Sequence, residues 1–474
     1  MKTAYQFKNP NIRKLGYLVW LVLLVFSLIF YKERAIFLDG AFQMCKMINE
    51  GQFKIYHYRL TNPLTQILAL SAIYLKLPLK IVLMAYSVNF ILLFGFIYHA
   101  MVRWCKNDYL GWVLIFFFTL IVLDSFYFLP PELYQGAAFM LLWFAILLQD
   151  PLMEKWWTFP LLFLMIIPIV SDSRLTPVYF LFSAAFFWLK HPARWNAKFY
   201  GLIVFFFTCM YIHSNYFIAA YDIGKMNEFH HNLDQYKSHL WDIPAHKKLL
   251  SKCFKIYYFY PILLGIVSIG YIVAAFRKSP SIKFPILKLL GVLGANFFFI
   301  MALHVGSPNT SYRFYAEVNY LPLIIMVGIP FVFDFASNVK KENWVLGAFL
   351  LIMLIRLNTI ANNHQKFEDR HNWYLSQMQK ASDKGTNRSA LYTHKTPQHI
   401  VIQPWASAHE TLLLSSLDGP KSSKSFLVYE DWTLAEKYKT DKDVFITFFQ
   451  KIPLENMNQH YFQLGEGMYW VREE

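Results

Sequence analysis

An acidic residue near the start of the chain is the first candidate for chemistry. Asp39 is the only charged residue in the segment from Ala35 to Gln43, which follows the first long apolar run. An ionisable side chain beside a bilayer is costly, and it usually faces a cavity or a substrate path. The same carboxylate could instead stabilise the N-terminus of a helix through the helix dipole. The residue type alone leaves both interpretations open.

Other ionisable residues fall at the ends of apolar runs, on the side of the membrane predicted for Asp39. Together with Asp39 they could line one outward cavity, and they are His57, Arg59, Asp124, Glu132, Asp172, Arg174, His213, His304, Arg313 and Glu317. We expect Asp124, His213 and Glu317 to be ordinary solvated loop residues. Asp172 and Arg174 fit that interpretation less well, because they lie between two short apolar runs.

Apolar helices must position these residues, and the composition supplies them. The 474 residues are 56% hydrophobic and 19% aromatic, which exceeds the need of a soluble core and indicates a polytopic membrane protein. A spanning helix needs about 20 apolar residues. Nine runs meet or approach that length, at residues 15–31, 81–101, 110–128, 133–148, 199–219, 254–276, 286–304, 321–335 and 344–360. With two shorter runs, at 157–170 and 177–189, we expect an all-α membrane domain of about 11 transmembrane helices.

Lysine and arginine in short loops predict the orientation, because such loops stay on the cytoplasmic side. The basic segments are residues 2–14, 103–106, 155, 190–198, 277–283 and 340–341. They place the N-terminus in the cytoplasm and the C-terminus outside, across a bacterial cytoplasmic (inner) membrane. The net charge of +15 then follows from topology and from attraction to anionic membrane lipids, so we expect no nucleic-acid partner.

The composition changes near residue 360. Residues 1–360 are predicted to form the membrane domain, and residues 361–474 a small α/β domain on the periplasmic, outer side. In that domain we expect a helix at 362–380 and strands at 399–403, 411–417, 425–430 and 444–449. The first outer loop, 32–80, is expected to hold two juxtamembrane helices, at 39–48 and 63–77.

This order of elements resembles the GT-C superfamily of integral-membrane glycosyltransferases. In both, one span precedes a large outer loop with two helices and an acid near its start, and many spans and an outer C-terminal domain follow. The segments 38–43 (LDGAFQ) and 58–63 (YRLTNP) are also similar to uncharacterised bacterial multi-span proteins. The resemblance implies transfer of a sugar from a polyprenyl phosphate or pyrophosphate donor to a lipid, glycan or protein acceptor. It also implies that Asp39 is a general base or a metal ligand.

No cofactor is expected with certainty. Metal-dependent members of the GT-C superfamily pair acids as DxD or ExD, and the predicted outer loops of the membrane domain contain neither pattern. Asp441 and Asp443 form a DxD pattern in the predicted C-terminal domain, where a solvated turn is expected. A divalent metal therefore stays open, with no ligand assigned to it.

Sugar transfer from a lipid phosphate needs a base for the acceptor hydroxyl and cations for the departing phosphate. Asp39 is the candidate base. Arg174 and Arg313 are the candidate cations and Arg59 is a weaker third, because a guanidinium donates two parallel hydrogen bonds to phosphate and keeps its charge. The remaining candidate substrate contacts are His57, Glu132, Gln135, Asp172 and Tyr312. The alternatives are ion pairs of the arginines with Asp172, Glu132 or Glu317, and a helix-capping role for Glu132.

Three other functions are compatible with this sequence. A transporter or flippase of lipid-linked glycans would use the acids and arginines along an alternating pathway. An O-antigen polymerase or ligase would place its functional loop later in the chain, for which residues 221–252 are available. A scaffold would carry the outer domain without catalysis.

Overall fold

The structure, a computed structural model, describes residues 5–129, 132–149, 158–172, 176–191, 196–278, 282–309, 312–429 and 442–472. Most of them are helical. The first nine α-helices are α1 Pro10–Ile29, α2 Tyr31–Ala35, α3 Asp39–Glu50, α4 Asn62–Tyr74, α5 Leu79–His99, α6 Asp108–Thr119, α7 Glu132–Leu147, α8 Thr158–Asp172 and α9 Thr176–Lys190. The next nine are α10 Ala197–Tyr216, α11 Ala220–Tyr236, α12 Pro244–Lys255, α13 Phe259–Phe276, α14 Pro285–Gly306, α15 Arg313–Pro330, α16 Glu342–Asn362, α17 Gln365–Ser382 and α18 Ser407–Ser416.

Long apolar helices make this a multi-pass membrane protein, as the composition predicts. Within the described ranges, seven helical segments are long and apolar enough to cross a bilayer: Pro10–Ile29, Leu79–Trp104, Ala197–Tyr216, Phe259–Phe276, Pro285–Gly306, Arg313–Asn338 and Glu342–Ser382. Shorter apolar helices lie at Asp108–Thr119, Leu133–Leu147 and Thr158–Val170. The total of eleven spans, the orientation and the inner-membrane location stay predictions.

The surface of the helical part is suited to lipid. Leu290 and Phe298 on α14, and Leu351 and Leu354 on α16, are each more than half exposed. Such large apolar side chains would be a liability in water, and they indicate contact with membrane lipid. The segment Arg313–Asn338 is different, because 83% of its most apolar stretch of 18 residues is buried inside the protein. Helix α15, which opens that segment, therefore lies at the centre of the helical bundle.

The predicted first outer loop contains the two helices expected there, now defined as α3 and α4. Gly51 follows the last residue of α3 and terminates the helix, because its φ of 62° is a left-handed conformation that glycine adopts without steric cost. Helix α4 carries a proline in its first turn, where no intrahelical hydrogen bond from the proline nitrogen is required. Local sequence signals thus explain where both helices end or begin.

The apolar run at 110–128 does not form one straight helix. Helix α6 ends at Thr119, and a short 3-10 turn follows at Asp124–Phe126. Side chains from distant helices hold the intervening backbone. Arg356 donates to the carbonyl oxygens of Thr119 (2.9 Å) and Val122 (2.7 Å), and Glu317 accepts from two backbone amides in the turn. These bonds satisfy backbone groups that have no helical hydrogen bond. The apolar run at 110–128 contains no signal for this break in the helix.

The C-terminal residues combine helices and strands, as expected. Strands β1 Arg388–Tyr392, β2 Ser425–Tyr429 and β5 Trp470–Arg472 form a parallel sheet in the order β2-β1-β5, with Arg388 opposite Ser425. Strands β3 Val444–Ile446 and β4 Lys451–Pro453 pair antiparallel. The helix predicted at 362–380 is α17. The division of the chain into two domains at residue 360 stays a prediction.

Two of the four predicted strands are wrong. Residues 411–417 fall largely in helix α18, and residues 399–403 form no strand. All ten residues of α18 are buried. The helix therefore has no exposed polar face, and its sequence lacks the apolar periodicity that would identify a helix. Thr411 and Ser415 return hydrogen bonds to the carbonyls of Ser407 and Thr411, four residues earlier in the helix. These side chains therefore satisfy their polar groups within the buried helix.

Candidate functional site

Asp39 is the first residue of α3 and follows a sharp turn. Leu38, just before it, has φ 43° and ψ −119°, a conformation that residues with a side chain rarely adopt. Gly40, just after it, has little space around it. A Cβ atom there would lie 3.1 Å from the carbonyl oxygen of Leu129 and 3.3 Å from that of Arg34. The backbone geometry of Leu38 and Gly40 thus sets the position of Asp39.

Four buried amide side chains lie on the helices that follow this turn, and we call Gln43, Asn62, Gln66 and Gln135 the amide cluster. Gln43 lies one turn beyond Asp39 on α3, and its Oε1 accepts from Gln66 Nε2 at 3.3 Å. On α7, Gln135 Nε2 donates to Thr65 Oγ1 at 3.2 Å. The amide cluster therefore connects α3, α4 and α7.

Some atoms of the amide cluster have no hydrogen-bond partner among the described residues. They are both side-chain polar atoms of Asn62 and the Oε1 atom of Gln135. Both residues are fully buried. An unpaired buried amide is costly, so these groups are suited to water or to the hydroxyl groups of a ligand.

The segment before α4 packs against α11. Arg59 Nη2 lies 3.2 Å from Asp222 Oδ1, and the ring of His57 lies 4.8 Å from that of Tyr221, between ring centroids. Arg59 is thus ion-paired, with a partner that the sequence did not suggest. His57 and its neighbour Tyr58 both have positive φ values, 51° and 57°. Two successive left-handed residues turn the chain sharply into α4.

A second polar region surrounds Asp124, and we call Asp124, Arg313, Asn363 and Lys366 the Asp124 cluster. Arg313 Nη2 and Lys366 Nζ each form an ion pair with Asp124. Asn363 Nδ2 donates to Asp124 Oδ1 at 3.0 Å, and Arg313 Nη2 donates to Asn363 Oδ1 at 2.8 Å. The cluster joins the turn after α6 to the starts of α15 and α17.

Further charges lie beside the Asp124 cluster. Glu317 Oε2 accepts from the backbone nitrogens of Leu123 and Ser125, both at 2.8 Å, and its Oε1 lies 3.7 Å from Arg313 Nε. Lys252 on α12 lies close enough to Glu317, Arg313 and Asp124 for their charges to affect its pKa. Arg356 also interacts electrostatically with Glu317. Four basic side chains, Arg313, Lys366, Lys252 and Arg356, thus lie around the two acids Asp124 and Glu317.

The charges also change proton affinities. Burial raises the pKa of Asp124, but the hydrogen bond from Arg313 and the attraction of Lys366 outweigh burial, and the net pKa lies below its ordinary value. Burial lowers the pKa of Lys252, and the two nearby carboxylates oppose that effect only in part. Asp124 is therefore a permanent anion at neutral pH.

A cavity of about 330 Å³ opens beside the Asp124 cluster. It is lined by Phe37, Asp124, Tyr312, Arg313, Lys366, Phe367, Arg370, His399, Ile400 and Ile402. The lining comes from five parts of the chain: the turn before α3, the turn after α6, the start of α15, the start of α17 and the irregular segment around residue 400. Phe37 precedes Asp39 by two residues, so the turn that carries Asp39 also forms a wall of the cavity.

The structure brings together only part of the predicted site. Arg313 and Tyr312 line the cavity, whereas Arg59 and His57 pack on α11 and Gln135 belongs to the amide cluster. Arg174 and the side chains of Glu132 and Asp172 lie outside the described residues. Glu132 is the first residue of α7 and Asp172 the last of α8.

The interpretation of Asp124 and Glu317 as solvated loop residues is wrong, because both side chains are buried in ion pairs and hydrogen bonds. Two partners of Asp124, Asn363 and Lys366, were missed. The sequence signals only a polar helix at their position, and no local pattern identifies which of its charges turns inward.

In the described ranges, no group of three or more histidine, cysteine, aspartate or glutamate side chains could hold a metal ion. The predicted DxD pattern includes Asp441, which lies outside those ranges.

Comparison with known proteins adds no assignment to this geometry. No protein-family model, no curated protein and no solved structure matches this chain.

Proposed function

We propose that the protein is a membrane glycosyltransferase that takes a sugar from a polyprenyl-phosphate-linked donor and gives it to an acceptor hydroxyl. One observation carries the proposal. The turn that presents Asp39 also contributes Phe37 to a cavity whose walls hold Arg313 and Lys366. Asp39 thus lies two residues after a residue that lines a cationic cavity, and the transfer reaction needs both a carboxylate and cations.

The cations would hold the donor phosphate. Arg313 and Lys366 both pair with Asp124, and Arg313 also lies near Glu317; the Lys366 side chain is 38% exposed, so it can reach an incoming anion. A guanidinium and an ammonium can both donate hydrogen bonds to phosphate oxygens. As the bond between the anomeric carbon and the phosphate oxygen breaks, negative charge grows on that oxygen. Fixed cations stabilise this charge without rearrangement.

Asp39 would act as the base. The acceptor oxygen attacks the anomeric carbon of the donor sugar, the phosphate leaves with the electron pair of the broken bond, and the hydroxyl proton passes to Asp39. Attack from the face opposite the phosphate inverts the anomeric configuration. The unpaired atoms of Asn62 and Gln135 would bind sugar hydroxyls, which offer both donors and acceptors.

The test is sugar transfer by the purified, detergent-solubilised protein. Radiolabelled polyprenyl-phosphate sugars are offered with lipid, glycan and protein acceptors, and the wild type is compared with Asp39→Asn. Asparagine keeps the shape but cannot take a proton, so we expect the rate to fall at least about a hundredfold. Asp234→Asn is the matched control, because the Asp234 side chain is 79% exposed and its pair with Lys237 lies on the surface.

Three results would count against the proposal. If no donor is consumed by the folded wild type with any acceptor of the panel, the assignment as a glycosyltransferase fails for those donors. If Asp39→Asn transfers sugar as fast as the wild type, Asp39 is not the base. If Asp234→Asn loses as much activity as Asp39→Asn, the effect is not specific to the site.

A further inference from the structure

A buried ion pair from the C-terminal part of the chain holds the turn that presents Asp39. Glu410 on α18 accepts a hydrogen bond from the backbone nitrogen of Leu38, at 2.8 Å from its Oε1. Leu38 has the positive φ that makes this turn unfavourable on its own. The two residues are 372 positions apart in the sequence. The bond therefore exists only because the C-terminal part packs against the first predicted outer loop.

Glu410 is itself fixed in place. Arg370 on α17 donates from Nε to Glu410 Oε2 at 2.8 Å and from Nη2 to Oε1 at 3.1 Å. The third nitrogen of the guanidinium, Nη1, donates to the carbonyl oxygens of Ile400 (3.3 Å) and Ile402 (2.9 Å). Both side chains are fully buried. A bidentate pair anchored in this way has one available geometry.

A second contact holds the same turn from α17. His371 Nε2 donates to the carbonyl oxygen of Ile36 at 3.0 Å, and His371 is buried. The Arg370 guanidinium also lies over the ring of Phe37, 5.5 Å from its centroid. Residues 36, 37 and 38 are thus each held by a side chain from α17 or α18. Asp39 follows directly, so its backbone position depends on these contacts.

We propose that Glu410 and Arg370 are positioning residues that hold the Leu38 turn in the geometry in which Asp39 can act. The inference rests on the proposed function for the role of Asp39, but the hold on the turn is a property of the fold alone. A strained turn persists only where its surroundings over-determine it. Here the C-terminal part supplies that constraint, which gives it a role beyond covering the membrane domain.

Two substitutions test the hold on the turn. In Glu410→Gln the amide NH₂ must face a donor, because both carboxylate oxygens already accept hydrogen bonds, and the charge opposite Arg370 is lost. Glu410→Asp keeps that charge but is one methylene shorter, which draws the carboxylate away from Leu38; it serves if the glutamine variant does not fold. The matched control is Arg388→Gln. Arg388 is another buried C-terminal arginine, and it binds the carbonyl oxygens of Val444 (3.2 Å) and Gly467 (2.9 Å).

The first measurement needs no substrate. Hydrogen–deuterium exchange of the full-length protein in detergent, followed by mass spectrometry of a peptide covering residues 36–42, reports the protection of the Leu38 amide. We expect the Glu410 variants to exchange about tenfold faster than the wild type at this amide, and Arg388→Gln to leave it unchanged. Unchanged exchange in both Glu410 variants would overturn the proposal.

The second measurement is the transfer assay. We expect both Glu410 variants to lower kcat at least about tenfold while the KM for the donor stays within about twofold, since the base is misplaced but Arg313 and Lys366 are unchanged. Faster exchange with an unchanged kcat would overturn the positioning role. Faster exchange in a protein whose wild type transfers no sugar would leave the hold on the turn standing and refute the proposed function instead.

Discussion

Two buried aspartates, one at each end of the helical bundle, are held in the same way, but their cation partners differ in exposure to solvent. Asp334 lies between Lys190 (2.6 Å) and Lys288 (2.7 Å) and accepts from the hydroxyl of Tyr271 at 2.9 Å. Asp124 lies between Arg313 and Lys366 and accepts from Asn363. Each is a carboxylate with two cations and one neutral donor. The shared arrangement does not by itself separate a structural ion pair from a binding site.

The burial of the cations separates them. The Lys288 side chain is 1% exposed, whereas that of Lys366 is 38% exposed and lines a cavity. Lys288 has no route to another anion, and the Lys190 side chain is 18% exposed, so Asp334 and its lysines act as a structural cross-link between α9, α14 and the end of the segment that begins with α15. The cations around Asp124 can meet an anion that enters the cavity. Access to solvent, more than residue type, decides which cluster can bind a ligand.

The largest expected effect is on stability at the Asp334 end. Asp334→Asn leaves the buried Lys288 and the partly buried Lys190 without their counter-charge, so we expect the free energy of unfolding to fall by about 3–5 kcal/mol. Unfolding of the detergent-solubilised protein by denaturant measures it. Asp124→Asn is the matched variant and should cost less, because Lys366 can turn to water. Equal losses of unfolding free energy in the two variants would show that the exposure of the cations does not affect stability.

The next effect is on activity and should appear only at the Asp124 end. Arg313→Gln removes a cation from the cavity, and we expect sugar transfer to slow by about a hundredfold. Lys190→Gln removes a cation from the Asp334 cluster and should leave the transfer rate of the folded protein unchanged. The radiolabel assay compares the two variants. Similar rates for both would remove the functional distinction between the clusters.

A smaller effect concerns the neutral donors. Tyr271→Phe deletes one hydrogen bond to a buried carboxylate and keeps the ring packing, which should lower the free energy of unfolding by about 1.5 kcal/mol. Asn363→Ala deletes the corresponding bond in the more open Asp124 cluster, where water can replace it, and should cost less. The same denaturant experiment ranks them. The reverse order would mean that the Asp124 cluster is the tighter of the two.

The smallest effect is the pH dependence of the Asp124 cluster. The pKa of Asp124 is lower in the folded protein than its ordinary value of about 4, because the attraction of Arg313 and Lys366 outweighs burial. Such a group contributes stability that is complete above about pH 4 and is lost as the pH falls through the folded-state pKa. The stability difference between wild type and Asp124→Asn should therefore be constant near neutral pH and shrink in acid. A difference that grows in acid would contradict the lowered pKa.

Local sequence signals predicted most of the helices and few of the contacts. Apolar runs and end signals predicted the positions of α1, α5 and α10, and of the helices in the first predicted outer loop, because each signal lies within the element it predicts. The same reasoning failed for α6, which ends nine residues before the end of its predicted run. Arg356 and Glu317 hold the chain beyond it, and both come from other helices.

The candidate site was predicted in part for the same reason. Arg313 was identified as a guanidinium suited to phosphate and Tyr312 as a substrate contact, and both line the cavity. Asp124 was assigned to solvent because it follows an apolar run in a short loop, and its burial depends on two cations far away in sequence. The ion pair of Arg59 with Asp222 was missed because the two residues are 163 positions apart.

By itself, the sequence determined that this is a multi-pass helical protein with a mixed C-terminal part. A helix that crosses a bilayer needs a long apolar segment, and such segments can be read directly from the sequence. Only the tertiary structure decided which charges are buried, which cations line a cavity and which distant carboxylate holds the turn before Asp39. Those outcomes depend on distances between residues that are hundreds of positions apart. Charge burial and hydrogen-bond pairing are properties of such distances, and no local pattern encodes them.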